Sequence, residues 1–139
     1  MKKVLFSHSF SKSTFSLATL ILRVGLGALM IPNHGWAKFS GFAEKKAHFI
    51  SFMGLSSELS LGLATFAELF CSVLLIIGLF TRLASIPLII VMLTALGIAH
   101  QWDILGHELP FALLIGFIAI LLLGPGKYSC DTLIYKKKY

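Results

Sequence analysis

The sequence predicts an all-α membrane protein, a four-transmembrane-helix bundle with an interfacial helix in its first loop. Three observations carry this. Four long apolar stretches, almost free of charge, fill most of the 139 residues. Hydrophobic residues make up 57% of the chain and charged residues 13%, about half the ~25% typical of a soluble domain. The connections are short, which leaves no room for a soluble domain.

Segment one runs from about Phe15 to Pro32, with a kinked continuation to Lys38. Segment two runs from about Leu59 to Leu79, segment three from Leu83 to His100, and segment four from Leu109 to Gly124. Each approaches the ~20 residues needed to cross a ~30 Å hydrocarbon core, the fourth being short. Pro110 suits the first turn of segment four, where its missing N–H costs nothing. Gly124-Pro125-Gly126 stops that helix. Only Phe80, Thr81 and Arg82 separate segments two and three, so these helices are antiparallel neighbours. In the first loop, Phe42 to Met53 places Phe42, Phe49, Phe52 and Met53 near one side of a helix. That pattern predicts an amphipathic helix in the membrane interface. No internal repeat or low-complexity segment is present.

The first segment is read as a retained membrane helix and not as a cleaved signal peptide. A polar run from Ser7 to Ser16 precedes it, and Arg23 interrupts it. The formal net charge of +6 is a topology signal, since the basic residues flank apolar segments and form no soluble patch. This excludes nucleic acid as a partner and leaves the lipid bilayer. Outside the segments, eight Lys and Arg fall on the side of the termini and three on the other. The excess predicts cytoplasmic N- and C-termini.

Arg23 and Glu68 stand inside apolar segments, where a charge costs several kcal/mol and is kept for a partner or a pathway. Their levels differ by about 7–8 Å at 1.5 Å per residue, so an Arg23–Glu68 pair is geometrically possible. Such a pair fixes helix register, or Glu68 exchanges protons or holds a polar headgroup; both readings stay open. Helical spacing places Ala64, Thr65, Cys71 and Ser72 beside Glu68, small residues that suit close packing or leave space for a ligand.

At the far rim stand His34, Lys38, His100, Asp103, His107 and Glu108. Their spacing matches no standard metal motif, so no metal site is expected. Trp36 and Trp102 fit an aromatic belt. Cys71 and Cys130 form no CxxC pair and lie at different depths, which argues against a self-contained dithiol oxidoreductase.

Several segments in this order resemble the DoxX family of small four-helix bacterial membrane proteins. They are Arg23-Val-Gly-Leu-Gly, His34-Gly-Trp-Ala-Lys38, Glu68 followed by Leu74-Leu-Ile-Ile-Gly-Leu-Phe-Thr-Arg82, and Gly124-Pro-Gly-Lys-Tyr-Ser-Cys-Asp131. The resemblance covers about Leu20 to Leu133. It implies one membrane domain over residues 1–139 and an inner (plasma) membrane location. It also implies a link to redox chemistry, the family name coming from a membrane subunit of a thiosulfate:quinone oxidoreductase. On matching positions it points to Arg23, His34, Lys38, Glu68 and Asp131.

The expected function is a membrane subunit of a quinone-linked oxidoreductase or oxidative-stress complex, without a complete redox centre of its own. Glu68 would exchange a proton at a quinone, with Arg23, His34 and Lys38 as further ligand-binding residues and Arg23 steadying the Glu68 charge. A redox partner protein would bring the electrons. The alternative is a non-enzymatic structural or assembly subunit that binds another membrane protein through small-residue faces such as Gly25 and Gly27 or Gly116, while a homo-oligomer would keep transport open. Transport is disfavoured, because four helices make a thin wall and no inverted repeat is present.

Overall fold

The structure is a computed structural model, and it describes residues 11–136. Among the described residues there is no strand. Helix α1 spans Lys12–Ser40, α2 Phe42–Lys45, α3 Ser57–Ile77, α4 Thr81–Ala99, α5 Glu108–Leu123 and α6 Cys130–Lys136. Helices α1, α3 and α4 are long and apolar enough to cross a membrane, and α5 is a shorter apolar helix.

Each helix begins or ends for a local reason. The Ser11 hydroxyl accepts the Thr14 N–H and caps α1, and the Ser56 hydroxyl accepts the Leu59 N–H and caps α3. Pro32 does not end α1, as one reading of the sequence had it. The helix widens into a π turn over Ile31–Trp36 and continues to Ser40. A proline inside a helix removes one backbone donor, and a widened turn absorbs that loss without breaking the rod. Helix α3 carries a second π turn at Phe66–Cys71 and α4 a third at Ala95–Ala99. Helix α3 stops at Gly78, whose φ of 72° is left-handed, with the Leu79 N–H returning to the Leu74 carbonyl.

The first loop has a helix where one was expected, but it is confined to Phe42–Lys45. The chain beyond it turns, with Met53 and Gly54 at positive φ, and does not stay helical to Met53. A second anchor explains this: the Phe52 N–H donates to the Ser60 hydroxyl on α3 at 3.0 Å, pulling residues 49–52 onto the bundle.

The four long helices close a ring in which α1 packs on α3, α3 on α4, α4 on α5 and α5 back on α1. Met30, Cys71, Leu75, Leu88, Leu96, Phe117 and Ile120 lie in its core. Glycines set the close approaches. A Cβ at Gly27 would meet the Ser72 carbonyl oxygen at 3.0 Å, and one at Gly35 would come within 2.8 Å of the Leu69 backbone. Gly116 is filled by Leu26. Gly27 and Gly116 therefore serve packing inside the chain and offer no face to a foreign helix, contrary to the assembly reading. Gly25 alone of the three opens outward.

The outer surface is apolar: Ile21, Phe66, Phe70, Leu83, Ile115 and Leu122 are all exposed. The interior holds Ser16, Thr19, Arg23, Thr65, Glu68, Ser72, Thr81 and Ser85, all buried. Apolar groups outside and polar groups within is the arrangement a lipid solvent demands, since polar groups must find their partners inside the protein.

Candidate functional site

The two intramembrane charges do not meet. Arg23 is fully buried, and its guanidinium donates from Nη1 to the Leu75 carbonyl at 2.9 Å and from Nη2 to the Tyr128 carbonyl at 2.6 Å. A longer bond of 3.4 Å reaches the Ile76 carbonyl. The last carbonyls of α3 carry the negative end of the helix dipole, and the Leu75 oxygen, which accepts the Gly78 N–H at 3.1 Å, has a second lone pair for a cation. A Cβ at Gly78 would collide with this guanidinium. Asp131 completes the arrangement from the other side of the turn. Its carboxylate accepts the Phe80 N–H at 2.7 Å and the Thr81 N–H at 2.9 Å, capping α4, while its own N–H donates to the Gly78 carbonyl. The predicted Arg23–Glu68 pair is thus replaced by a clamp on the α3–α4 turn. The reason is that the helix-end carbonyls at this level, at the negative end of the α3 dipole, take the guanidinium that Glu68 was expected to hold.

Glu68 instead pairs with Lys38. Lys38 Nζ donates to Glu68 Oε2 at 2.6 Å, the Glu68 side chain being 3% exposed and that of Lys38 20%. The π turns of α1 and α3 lie against each other where Gly35 meets Leu69, and this contact brings the last turns of α1 against the Glu68 level. Lys38 sits 15 residues beyond Arg23, about 22 Å along the helix.

The pair forms part of the wall of a cavity of about 460 Å³ between α1, α3 and α4, roofed by Phe49, Ile50 and Phe52 of the first loop. Ala64 and Ala67 leave room on the α3 side, and Pro87 and Ala95 on the α4 side. The volume falls in the ordinary range of small-molecule sites, and so does the lining, mostly apolar with a few convergent polar groups. Two of the three π turns contribute wall residues, Phe66 to Glu68 from one and Ala95 and Ala99 from the other, and Lys38 stands just past the third. Widened turns recur at functional sites because they re-aim side chains that a regular helix would stack.

The other sequence-derived candidates lie elsewhere. Neither Arg23 nor His34 lines this cavity; His34 is half-buried on the π turn of α1. His100 and His107 stack with ring centroids 3.6 Å apart, and His107 approaches Asp103. Among the described residues no group of three or more His, Cys, Asp or Glu side chains is placed to hold a metal ion. Both cysteines are free, Cys71 in the core. A second, more open hollow of about 700 Å³ lies at the opposite end against Arg82 and Asp131. In it Asp131 caps the α4 start and Arg82 reaches the Leu122 carbonyl that ends α5. The part that sequence reasoning missed is the wall from the first loop. Its only signal was the run of aromatic and aliphatic residues at 49–52, which helical periodicity absorbed.

A helical bundle with an apolar exterior, a polar interior and a lipophilic cavity defines a small integral membrane protein. The DoxX family matches residues 18–101, which span α1, α3 and α4, and the chain belongs to that family. It is also similar to an uncharacterized membrane protein of Mycobacterium tuberculosis, 32% identical over 85 residues, covering 50% of this chain and 52% of that protein. The chain thus spans about half the length of the curated relative it matches. No solved structure matches it.

Proposed function

We propose that this protein is the quinone-binding membrane subunit of a redox complex, and that the cavity beside Lys38 and Glu68 is the quinone site. The observation that carries this reading is a contact between the half-buried Lys38 and the buried Glu68 on the wall of an otherwise apolar cavity in a membrane bundle. A quinone headgroup needs an apolar slot, a donor for its carbonyl and an acceptor for its hydroxyl when reduced. The Lys38 ammonium supplies the donor and the Glu68 carboxylate the acceptor. In quinol oxidation two protons and two electrons leave: Glu68 takes up one hydroxyl proton, water at the membrane interface takes the other, and a redox partner protein accepts the two electrons; reduction runs the same steps in reverse. Lys38, not Arg23, steadies the Glu68 charge. The whole chain acts as one membrane domain in a bacterial inner membrane, with both termini in the cytoplasm as the Lys and Arg distribution favours.

The test is mass spectrometry of quinones that co-purify in mild detergent. Wild-type protein is expected to carry quinone, and folded Glu68→Gln and Lys38→Gln proteins to lose it. Retention of quinone by both variants, or unaltered quinone-dependent electron transfer in Glu68→Gln membranes, would sink the proposal.

A further inference from the structure

The charge balance of the cavity selects its ligand. Lys38 and Glu68 are the only charged side chains among the described residues that line it. At 2.6 Å they cancel, so the site is polar but carries no net charge. Of the other polar groups there, the Ser60 hydroxyl accepts the Phe52 N–H and the Thr94 hydroxyl donates to the Ile90 carbonyl. Of the Glu68 carboxylate, Oε2 holds Lys38 while no protein group among the described residues donates to Oε1. An ammonium has three N–H donors, and one of those on Lys38 is used. The wall therefore offers one free acceptor beside free donors.

We infer that the cavity takes neutral amphiphiles whose head both donates and accepts a hydrogen bond, and rejects anionic heads of the same tail. An anion would have to share Lys38 with a carboxylate already in contact with it, inside an apolar wall that neutralises nothing further. A cationic head meets the same obstacle at Lys38. A hydroxyl head bridges the two without disturbing the pair, donating to Oε1 and accepting from Nζ, whereas a carbonyl only accepts from Nζ. This inference rests on the cavity being the ligand site, and it extends the quinone reading, through the hydroxyls of the reduced form, to a rule that other neutral lipid alcohols obey.

The rule makes a directional prediction. Glu68→Gln leaves a lone cation, and the preference turns to anions. Lys38→Gln leaves a lone carboxylate, and it turns to cations. The probes are 1-dodecanol, laurate and dodecylammonium, which share one tail length, together with decylubiquinone. Binding is measured by equilibrium dialysis against protein in phosphatidylcholine nanodiscs, with empty nanodiscs subtracted. Wild type is expected to bind dodecanol at least tenfold more tightly than either charged probe. Glu68→Gln is expected to rank laurate first, and Lys38→Gln dodecylammonium first. Laurate bound by wild type as tightly as dodecanol overturns the inference, as does an unchanged ranking in both variants. Should one variant not fold, the wild-type ranking and the other variant still decide it. Preference for dodecanol with no binding of decylubiquinone keeps the neutral-head rule and removes the quinone reading. Absence of binding by every probe overturns both.

Discussion

Two cations on one helix, one fully buried and one half-buried, illustrate two ways of keeping a charge inside a membrane. Arg23 is held by backbone carbonyls at the end of α3 and before α6. Lys38, about 22 Å along α1, is held by the side chain of Glu68. The first cation joins chain segments far apart in sequence and lines neither of the two cavities described above. The second forms the polar edge of an apolar cavity. A backbone partner cannot be replaced by substitution, whereas a side-chain partner can. The two ends should therefore respond differently when their charges are removed one at a time and together.

The largest effect is expected from Arg23→Met. It removes charge-assisted bonds of about 1.5–3 kcal/mol each and takes the guanidinium donor from the Tyr128 carbonyl and from the end of α3. Thermal stability in detergent, read by size-exclusion chromatography after heating, should fall enough to lose most folded protein. Arg23→Lys should rescue little, because one ammonium cannot fork between α3 and Tyr128. A stable, well-folded Arg23→Met protein would refute the clamp.

Lys38→Met should come next. It strands Glu68, and breaking a buried pair from one side costs about 3–5 kcal/mol, whereas replacing both partners by apolar groups is often neutral. The double variant Lys38→Met/Glu68→Leu should thus regain most of the lost melting temperature while binding no quinone. If the double variant is as unstable as the single one, the pair is structural in the way Arg23 is, and the contrast between the two ends disappears.

Asp131→Ala should cost about 2 kcal/mol, the upper range for a lost helix cap, since two backbone donors lose their acceptor. Ligand binding at the distant cavity should be unchanged in the protein that remains folded. Loss of quinone from folded Asp131→Ala protein would show that the two ends are coupled.

Gly35→Ala sharpens the comparison further. Its Cβ would come within 2.8 Å of Leu69 backbone atoms that cannot rotate away. Overpacking of this kind costs about 1–3 kcal/mol. The shift parts α1 from α3 near Lys38, so quinone retention should fall more than stability does. Equal losses in both would mean the contact serves packing alone.

Much of this was legible in the residues. Long apolar runs separated by turn residues specify membrane helices, because a lipid solvent leaves the backbone no partner but itself. The burial of Arg23 and Glu68 followed from their place in those runs. Their partners did not. Arg23 pairs with carbonyls, which every residue possesses and no sequence pattern marks. Glu68 pairs with a lysine that straight-helix bookkeeping assigned to the rim, and Lys38 reaches it past a π turn over Pro32. Residues 49–52 looked like one face of an interfacial helix, since alternation of apolar and polar residues does not reveal that the Ser60 hydroxyl will capture the Phe52 N–H.

The sequence by itself determined the solvent, the helices and which charges must be buried, since these follow from local composition and from the 1.5 Å rise of a helix. Only the tertiary structure decided which buried charge meets which partner. That depends on crossing points set by single glycines and on widened turns, where a shift of one residue re-aims a side chain, and neither leaves a periodic trace in the chain.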